Sequence, residues 1–591
     1  MADFDELEKL KGDKHIPVSI LLKRVWGYMK KEKWSFVFAL LFMGVSVALT
    51  LMFPLVIKMA TNELTKGTNA SLVIVIGLAV GYFGMSLLGN FFVYVEAMIL
   101  QKAGQRIIYS LRMEVYEHIQ NMSQNQFNEM PVGSLVTRVA NYTTSMSDLF
   151  TNVFVNLLRN IITVIVVFVI LIAESPTLTL ILSAFVVVVF VVSYFFRKIV
   201  KKLFRKERAL VSDMNTFLNE NLSGMKITQI FNQEKRKESE FEEKNQELRR
   251  TKYKVVLAFA VYRPFLTFLY FSSVAVTFYF GMKFRLSPGG VVEFYILLSY
   301  FFNPIQNIAD QLNNIQRAMT ASERLFNLLD VKPEVLDEPD AIEIDHFEGK
   351  IEFKNVWFAY EQEHWILQDV SFVIEPRETC AFVGATGAGK TTILSLIVRN
   401  YEIQKGEILI DGVNIKHIKI QSLRKAIGQM LQDVFLFTGN IRDNIALHDE
   451  SFTDDEIIET CRYVNADSFI EPTKNGLDKE VIERGENFSQ GQRQLISFAR
   501  TVLHKPQILI LDEATANIDT ETEVLIQESL DKIKNIGTML VVAHRLSTIQ
   551  KADQIIVLQK GKVMEKGNHQ SLLKQRGLYY KLYQLQFEKH E

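Results

Sequence analysis

The stretch FVGATGAGKTT, residues 382–392, decides how this chain is read. The apolar run from Cys380 to Val383 predicts a short buried strand, and Gly384 opens a glycine-rich loop. Gly384, Gly389, Lys390 and Thr391 satisfy the spacing G-x-x-x-x-G-K-[ST], with Thr386, Gly387 and Ala388 completing the loop. Glycines let a backbone wrap a polyphosphate with successive N–H groups turned inward. The helix that follows offers its N-terminus to the same charge. Lys390 is placed to reach the β- and γ-phosphates and the Thr391 hydroxyl to ligate Mg²⁺, with Thr392 a further nucleotide-binding candidate. A chance glycine turn would not bring strand, loop, Lys-Thr and helix together in this order. Binding of a nucleoside triphosphate is the expectation.

The 591 residues allow about four domains by length alone. Charge is balanced, 66 Lys+Arg against 67 Asp+Glu, which excludes the basic excess of a nucleic-acid binder. Hydrophobic residues make up 48% of the chain, and the long uncharged runs fall in its first 320 residues. The two cysteines, Cys380 and Cys461, suit a reducing compartment and exclude a disulfide framework. The polar, mixed-charge start MADFDELEKLKGDKH is no signal peptide, so the first membrane helix would itself direct insertion.

Residues 16–29 place apolar residues at helical spacing between basic ones. They predict a short amphipathic helix along the cytoplasmic membrane face, or else an ordinary first turn of the domain. Six segments then approach the ~20 apolar residues that a bilayer span requires: 34–57, 72–95, 150–173, 176–197, 255–281 and 291–316. Lys and Arg concentrate on the two long loops and on the N-terminal flank, which predicts cytoplasmic loops and termini in a multi-pass protein of the cell membrane. Residues 107–122 and 217–245 carry apolar residues at helical spacing. They predict extensions of the spans beyond the membrane, each pair closing in a short transverse helix, the second near 223–231. Such tips would dock on the ATP-binding domain and transmit its movement, unless they are solvated hairpins with no partner.

Glu96, Arg263, Glu293, Asn303 and Asp310 stand within or beside the spans, where an ionisable group faces a cavity or a partner. Arg263, followed by Pro264, reads as the most interior of them. Glu96 and Asp310 lie either at membrane depth or in the extensions. Aromatics crowd the last two spans, as binding of varied hydrophobic ligands or ordinary lipid contact would require. The expected division is an N-terminal segment 1–33, a transmembrane domain 34–318, an acidic linker 319–345 and a nucleotide-binding domain 346–591.

In that last part, Tyr360 stands thirty residues ahead of Lys390, as a platform for a purine ring or as a core tyrosine. ILILDE, residues 508–513, predicts a buried strand with two carboxylates at its C-terminal end, where a parallel sheet holds its ligands. Asp512 would hold the Mg²⁺ shell and Glu513 polarise the attacking water. His544 follows another apolar strand and could sense the γ-phosphate. Ser489 is a plausible N-cap for the helix that FSQGQ opens.

With these residues in place the chain resembles the ATP-binding cassette exporters in which membrane and nucleotide domains are fused. The resemblance runs over nearly the whole chain and rests on Tyr360, the phosphate loop, Gln432 in MLQD, residues 482–485, the signature 488–492, ILILDE, Asp519 in ANID and His544, in family order. It implies six transmembrane helices with long cytoplasmic extensions fused to an α/β P-loop ATPase domain. Two such domains would meet head to tail, each ATP lying between one chain's phosphate loop and the other's Ser489, Gln490, Gly491 and Gln492. It further implies that Gln432, in the Mg²⁺ shell, couples the metal to the membrane-domain contact and that Asp519 communicates between the two sites. The usual signature LSGGQ reads FSQGQ here, and Gln490 replaces the glycine whose backbone would approach the γ-phosphate. A complete Walker set beside an altered signature is similar to one subunit of the bacterial heterodimeric multidrug exporters. A homodimer that tolerates glutamine is the alternative. ATP-driven efflux of hydrophobic or amphipathic compounds follows as the expected function, with a lipid or peptide exporter as rival and an ATP-gated channel or membrane sensor as a different class.

Overall fold

The computed structural model describes residues 16–587, except 362–363, 431–433, 471–474, 513–519 and 543–548 and the side chains of 305–313, 520–521 and 586–587. Its contacts divide the chain into two compact units. One holds residues 16–121 and 130–332, and the other holds 122–129 and 333–587.

The first unit is helical throughout. Helix α1 (Val18–Lys31) buries Leu21, Val25 and Met29, one residue per turn, and leaves Ile20, Leu22 and Trp26 exposed. That second apolar face beside Lys30 and Lys31 is what an interfacial helix presents to a bilayer. The long helices are α2 (Lys33–Leu64), α3 (Leu72–Gln120), α5 (Val132–Glu174), α6 (Pro176–Ser223), α8 (Glu234–Lys283) and α9 (Pro288–Leu329). Short helices α4 (Gln124–Asn128) and α7 (Met225–Ile230) close the two long loops.

Among the described residues, α2, α3, α5, α6 and α8 are long and apolar enough to cross a membrane. The expected sixth span falls in α9, a continuous helix with Pro304 inside it. At 1.5 Å per residue, a helix the length of α8 reaches roughly 75 Å, more than twice the ~30 Å hydrocarbon core. The helices therefore continue past the membrane as single rods. Two π-helical turns, Arg138–Tyr142 and Leu149–Phe154, interrupt α5 before its apolar part.

The buried charges differ from the expected ones. Arg263 is exposed and lies 5.6 Å over the Phe259 ring, because its position on α8 faces away from the packed side of the bundle. Asn303 is exposed too, and the side chain of Asp310 is outside the described residues. Glu96 and Glu293 are the interior ones. Glu96 pairs with Arg159, and Glu293 pairs with Lys58 at 2.9 Å, while Lys58 also meets Glu174 at 2.6 Å. Each buried carboxylate thus has a cation from another helix, which offsets the cost of taking it out of water.

The second unit is an α/β domain. A four-stranded antiparallel sheet has the order β2-β1-β4-β5: β1 (Ile351–Ala359), β2 (Trp365–Ile374), β4 (Lys405–Ile410) and β5 (Val413–Asn414). A six-stranded sheet has the order β12-β11-β3-β10-β9-β6: β3 (Thr379–Val383), β6 (Ile427–Met430), β9 (Ile508–Asp512), β10 (Thr538–Val542), β11 (Gln554–Gln559) and β12 (Lys562–Gly567). Its five strands from β11 to β6 are parallel, and β3, β9 and β10 are nearly all buried, as central parallel strands are. A small ribbon pairs β7 (Gly439–Asn440) with β8 (Glu480–Val481). Both cysteines are free and buried, Cys380 in one apolar core of this unit and Cys461 in the other. Burial pushes the Cys461 thiol up to about 12, so it is an inert core residue at neutral pH.

Candidate functional site

Strand β3 delivers the chain into the loop 384–389, and α10 (Lys390–Ile397) follows at once. Gly389 is the N-cap of α10 at φ +102°, a left-handed conformation, and a Cβ there would meet Leu367 Cδ2 at 2.6 Å. At Gly384 a Cβ would lie 2.3 Å from the Leu558 carbonyl. Glycine is therefore required at both ends of the loop by the backbone and its neighbours. No side chain caps α10, so its first N–H groups are open to an anion. Ala385, Thr386, Gly387 and Thr391 are exposed around that opening, while Ala388 and Thr392 are buried beneath it. The Lys390 ammonium is buried and donates to the Gly384 carbonyl at 2.6 Å, folded across the mouth of the loop.

Tyr360 follows the end of β1 and is 42% exposed. It sits edge-on to Phe358 at 4.9 Å and to Tyr401 at 5.1 Å, and its hydroxyl shares a 3.0 Å hydrogen bond with Thr392. That exposure makes it no core tyrosine. Neither the Thr392 bond nor Tyr401 was legible in the sequence, because both depend on how α10 packs against the antiparallel sheet.

The register of the parallel sheet levels the rest of the site. Val542 on β10 is paired with Phe382 on β3 and with Asp512 on β9, so three strands reach the same height. At ~4.8 Å between strands, the Asp512 backbone stands roughly 10 Å from that of Phe382, at the edge where the phosphate loop begins. Met430 on β6 is paired with Leu511, one residue lower. Asp512 is half-buried. Gln432, Glu513, Asp519 and His544 follow these strand ends and lie outside the described residues.

The signature stretch opens α11 (Gln490–Leu503). Ser489 is its N-cap: the Ser489 hydroxyl accepts from the Gln492 N–H at 3.2 Å, and Gln492 Oε1 accepts from the Ser489 N–H at 3.1 Å. This capping box fixes the helix start. Gln490 is the first helical residue and partly exposed, and Gly491 is buried behind it. Just before it, Arg484 at φ +56° and Gly485 at φ +69° make a tight bend. A Cβ on Gly485 would strike Leu436 Cδ1 at 2.7 Å.

The residues present fit a magnesium nucleotide. An uncapped helix start, a buried ammonium, a hydroxyl and a strand-end carboxylate converge on one edge of the sheet. Apolar helices joined in sequence to this unit make the whole a multi-pass membrane protein with its own P-loop ATPase domain. Comparison with known proteins narrows the class. Residues 36–305 match the family model described as the ABC transporter transmembrane region, and residues 367–516 match the one described as ABC transporter. A putative ABC transporter ATP-binding protein of Streptococcus pneumoniae is 36% identical over 96% of this chain and 97% of its own length. An ATP-dependent lipid A-core flippase of Syntrophus aciditrophicus is 34% identical over 96% of this chain and 95% of its own. A probable multidrug resistance ABC transporter ATP-binding/permease protein of Bacillus subtilis is 37% identical over 85% of this chain and 76% of its own. Among solved structures, a bacterial Atm1-family ABC exporter with ATP bound superposes with a TM-score of 0.77 at 26% identity, over 94% of this chain and 98% of that one. The chain belongs to the ABC transporters, of the exporter type that fuses membrane and ATP-binding domains, and is an ATPase coupled to transport.

Proposed function

We propose that this chain is one half of a dimeric exporter of hydrophobic or amphipathic compounds, paired with a different ABC chain and oriented with its ATP-binding unit and both termini in the cytoplasm. The carrying observation is continuity: α6 and α8 run 48 and 50 residues without a break from the apolar spans to the tip helix α7. Displacement of the tip is therefore delivered to the membrane segment by a rigid lever rather than absorbed in a loop. The tip itself exposes Ile227, Ile230 and Phe231 by about two-thirds, an apolar face that a second chain would cover. Altered Gln490 beside an intact phosphate loop favours a partner that is not a second copy.

In this reading Lys390 and the α10 N-terminus hold the phosphates, and Tyr360 carries the base. Thr391, Asp512 and Gln432 would hold Mg²⁺, which supplies charge neutralisation between the phosphates. Glu513 orients the attacking water, His544 reads the γ-phosphate and Asp519 links the two sites. Hydrolysis resets a cycle in which ATP favours the closed pair of ATP-binding units. The relative named as a multidrug transporter supports the substrate class. The relative named as a lipid A-core flippase supports lipid export as the second reading. ATP-dependent uptake of a hydrophobic fluorescent dye into inverted membrane vesicles tests the proposal. Uptake should vanish in Glu513→Gln, and ATPase activity without any vectorial uptake of dye or lipid would overturn it.

A further inference from the structure

Two segments 45 residues apart meet at the end of β1. The Gln404 side-chain amide closes on the backbone of Ala359: Gln404 Oε1 accepts from the Ala359 N–H at 3.0 Å, and Gln404 Nε2 donates to the Ala359 carbonyl at 2.9 Å. The Gln404 N–H also donates to the Trp357 carbonyl at 3.2 Å. Backbone pairing of β1 with β4 ends at Trp357 and Lys405, after a register shift between Lys354 and Trp357. On that edge a side-chain amide takes over from the ladder and satisfies both backbone groups of Ala359. The next residue is Tyr360.

The Tyr360 ring is then held by its neighbours. Phe358 and Tyr401 stand at 86° and 81° to it, with centroids at 4.9 and 5.1 Å, and lie 5.6 Å from each other. The Tyr360 hydroxyl is tied to Thr392 on α10. Phe358 and Thr392 are buried and Tyr401 is half-buried, so an exposed ring rests on ordered supports. Edge-to-face aromatic contacts add to what burial alone supplies. A ring already fixed in place loses little freedom when it binds a flat base. Tyr401 and Gln404 follow directly on α10, so one continuous stretch, 384–404, carries the phosphate loop, the helix behind it and two supports of Tyr360.

From this arrangement we propose that Tyr401 and Gln404 are positioning residues of the nucleotide site. They hold Tyr360 in the pose that receives the base, so recognition of the base depends on them and recognition of the phosphates does not. The proposal rests on the reading of Tyr360 as the seat of the base, and it names the residues that set the preference for a base-bearing triphosphate.

The test is displacement of a fluorescent ATP analogue from the purified full chain, or its complex. The competitors are MgATP and magnesium tripolyphosphate, which carries phosphates without a base. Wild type should prefer ATP about tenfold or more, and Tyr360→Ala should bring that ratio close to one, since base–aromatic stacking is what it removes. Tyr401→Leu and Gln404→Leu should each lower the ratio about threefold to tenfold and leave tripolyphosphate affinity unchanged. Tyr401→Phe keeps the ring and should keep the ratio. Added to Tyr360→Ala, Tyr401→Leu should have no further effect, because a positioning residue acts only through the ring it holds. A wild-type ratio in both leucine variants would overturn the proposal and leave the base at Tyr360. An equal fall for both competitors would overturn it by showing support of the fold at large. A further loss of the ratio in the double variant would overturn it by placing Tyr401 on the base itself. An unchanged ratio in Tyr360→Ala would overturn the base reading, and the positioning role with it.

Discussion

Ser123 and Glu334 lie 211 residues apart in sequence, and the Ser123 hydroxyl reaches the Glu334 carboxylate at 3.4 Å inside one compact unit. Residues 122–129 come from the long loop between two membrane helices, yet they pack with the ATP-binding domain. The tip that they form, α4, is held by a capping box in which Gln126 Oε1 accepts from the Ser123 N–H at 3.1 Å.

Gln126→Ala breaks this box, whose loss typically costs ~1 kcal/mol locally. ATPase activity of the purified protein should persist while vesicle uptake per ATP hydrolysed falls several-fold. An unchanged ratio would remove α4 from the path of transmission.

Lys390→Ala deletes the buried ammonium at the mouth of the loop. ATP affinity should fall by tenfold or more, about 1.4 kcal/mol or above, since charge-assisted bonds to the phosphates are lost. Direct titration with a fluorescent ATP analogue gives the answer. Affinity unchanged within twofold would refute the loop assignment.

For Glu513→Gln the expected result is the opposite split. Glutamine is nearly isosteric, so nucleotide binding should hold while turnover falls by about 10²-fold or more, the usual loss when a catalytic base is removed. A long-lived nucleotide-occluded dimer should accumulate and be visible by size and by retained nucleotide. Near-normal ATPase rates would take Glu513 out of the catalytic role.

Gln490→Gly separates the two dimer arrangements. In a heterodimer whose hydrolysis occurs at the other site, the ATPase rate should change little. In a homodimer a regained backbone donor should raise the rate about tenfold, roughly 1.4 kcal/mol of barrier. Glycine at a helix start can itself cost up to ~1 kcal/mol, so the melting temperature of both proteins is measured alongside. A large rise in a preparation containing this chain alone would end the heterodimer reading.

His504 caps the C-terminal end of α11 as an exposed residue whose ring stands edge-on to Phe452 at 5.1 Å, and partial desolvation of that ring holds its imidazole below the usual histidine range. The folded domain thus prefers the neutral ring. The unfolded chain takes up a proton first as pH falls through ~6.5, so stability is present above that pH and is lost below it. The ATP-binding unit should melt at lower temperature at pH 5.5 than at pH 7.5, and His504→Gln should flatten that slope. An identical slope in the variant would exclude His504 as its source.

Much of this protein is determined by local pattern. G-x-x-x-x-G-K-T predicts the loop because its glycine positions need conformations and clearances that a side chain forbids, as Gly389 and Gly384 confirm in place. The long apolar runs predict the membrane helices because hydrocarbon satisfies no backbone hydrogen bond. Even the second transverse helix, expected near 223–231, forms at Met225–Ile230. Relations between distant segments were another matter. That Asp512 stands level with Phe382 depends on β10 passing between them in register. That Arg263 is exposed while Glu96 is buried depends on which face of each helix the bundle covers, and the even apolar coating of a membrane helix does not mark that face. Periodicity specifies an element and its chemistry; only packing decides which elements share a site, because that choice is made by shape complementarity across hundreds of residues of separation.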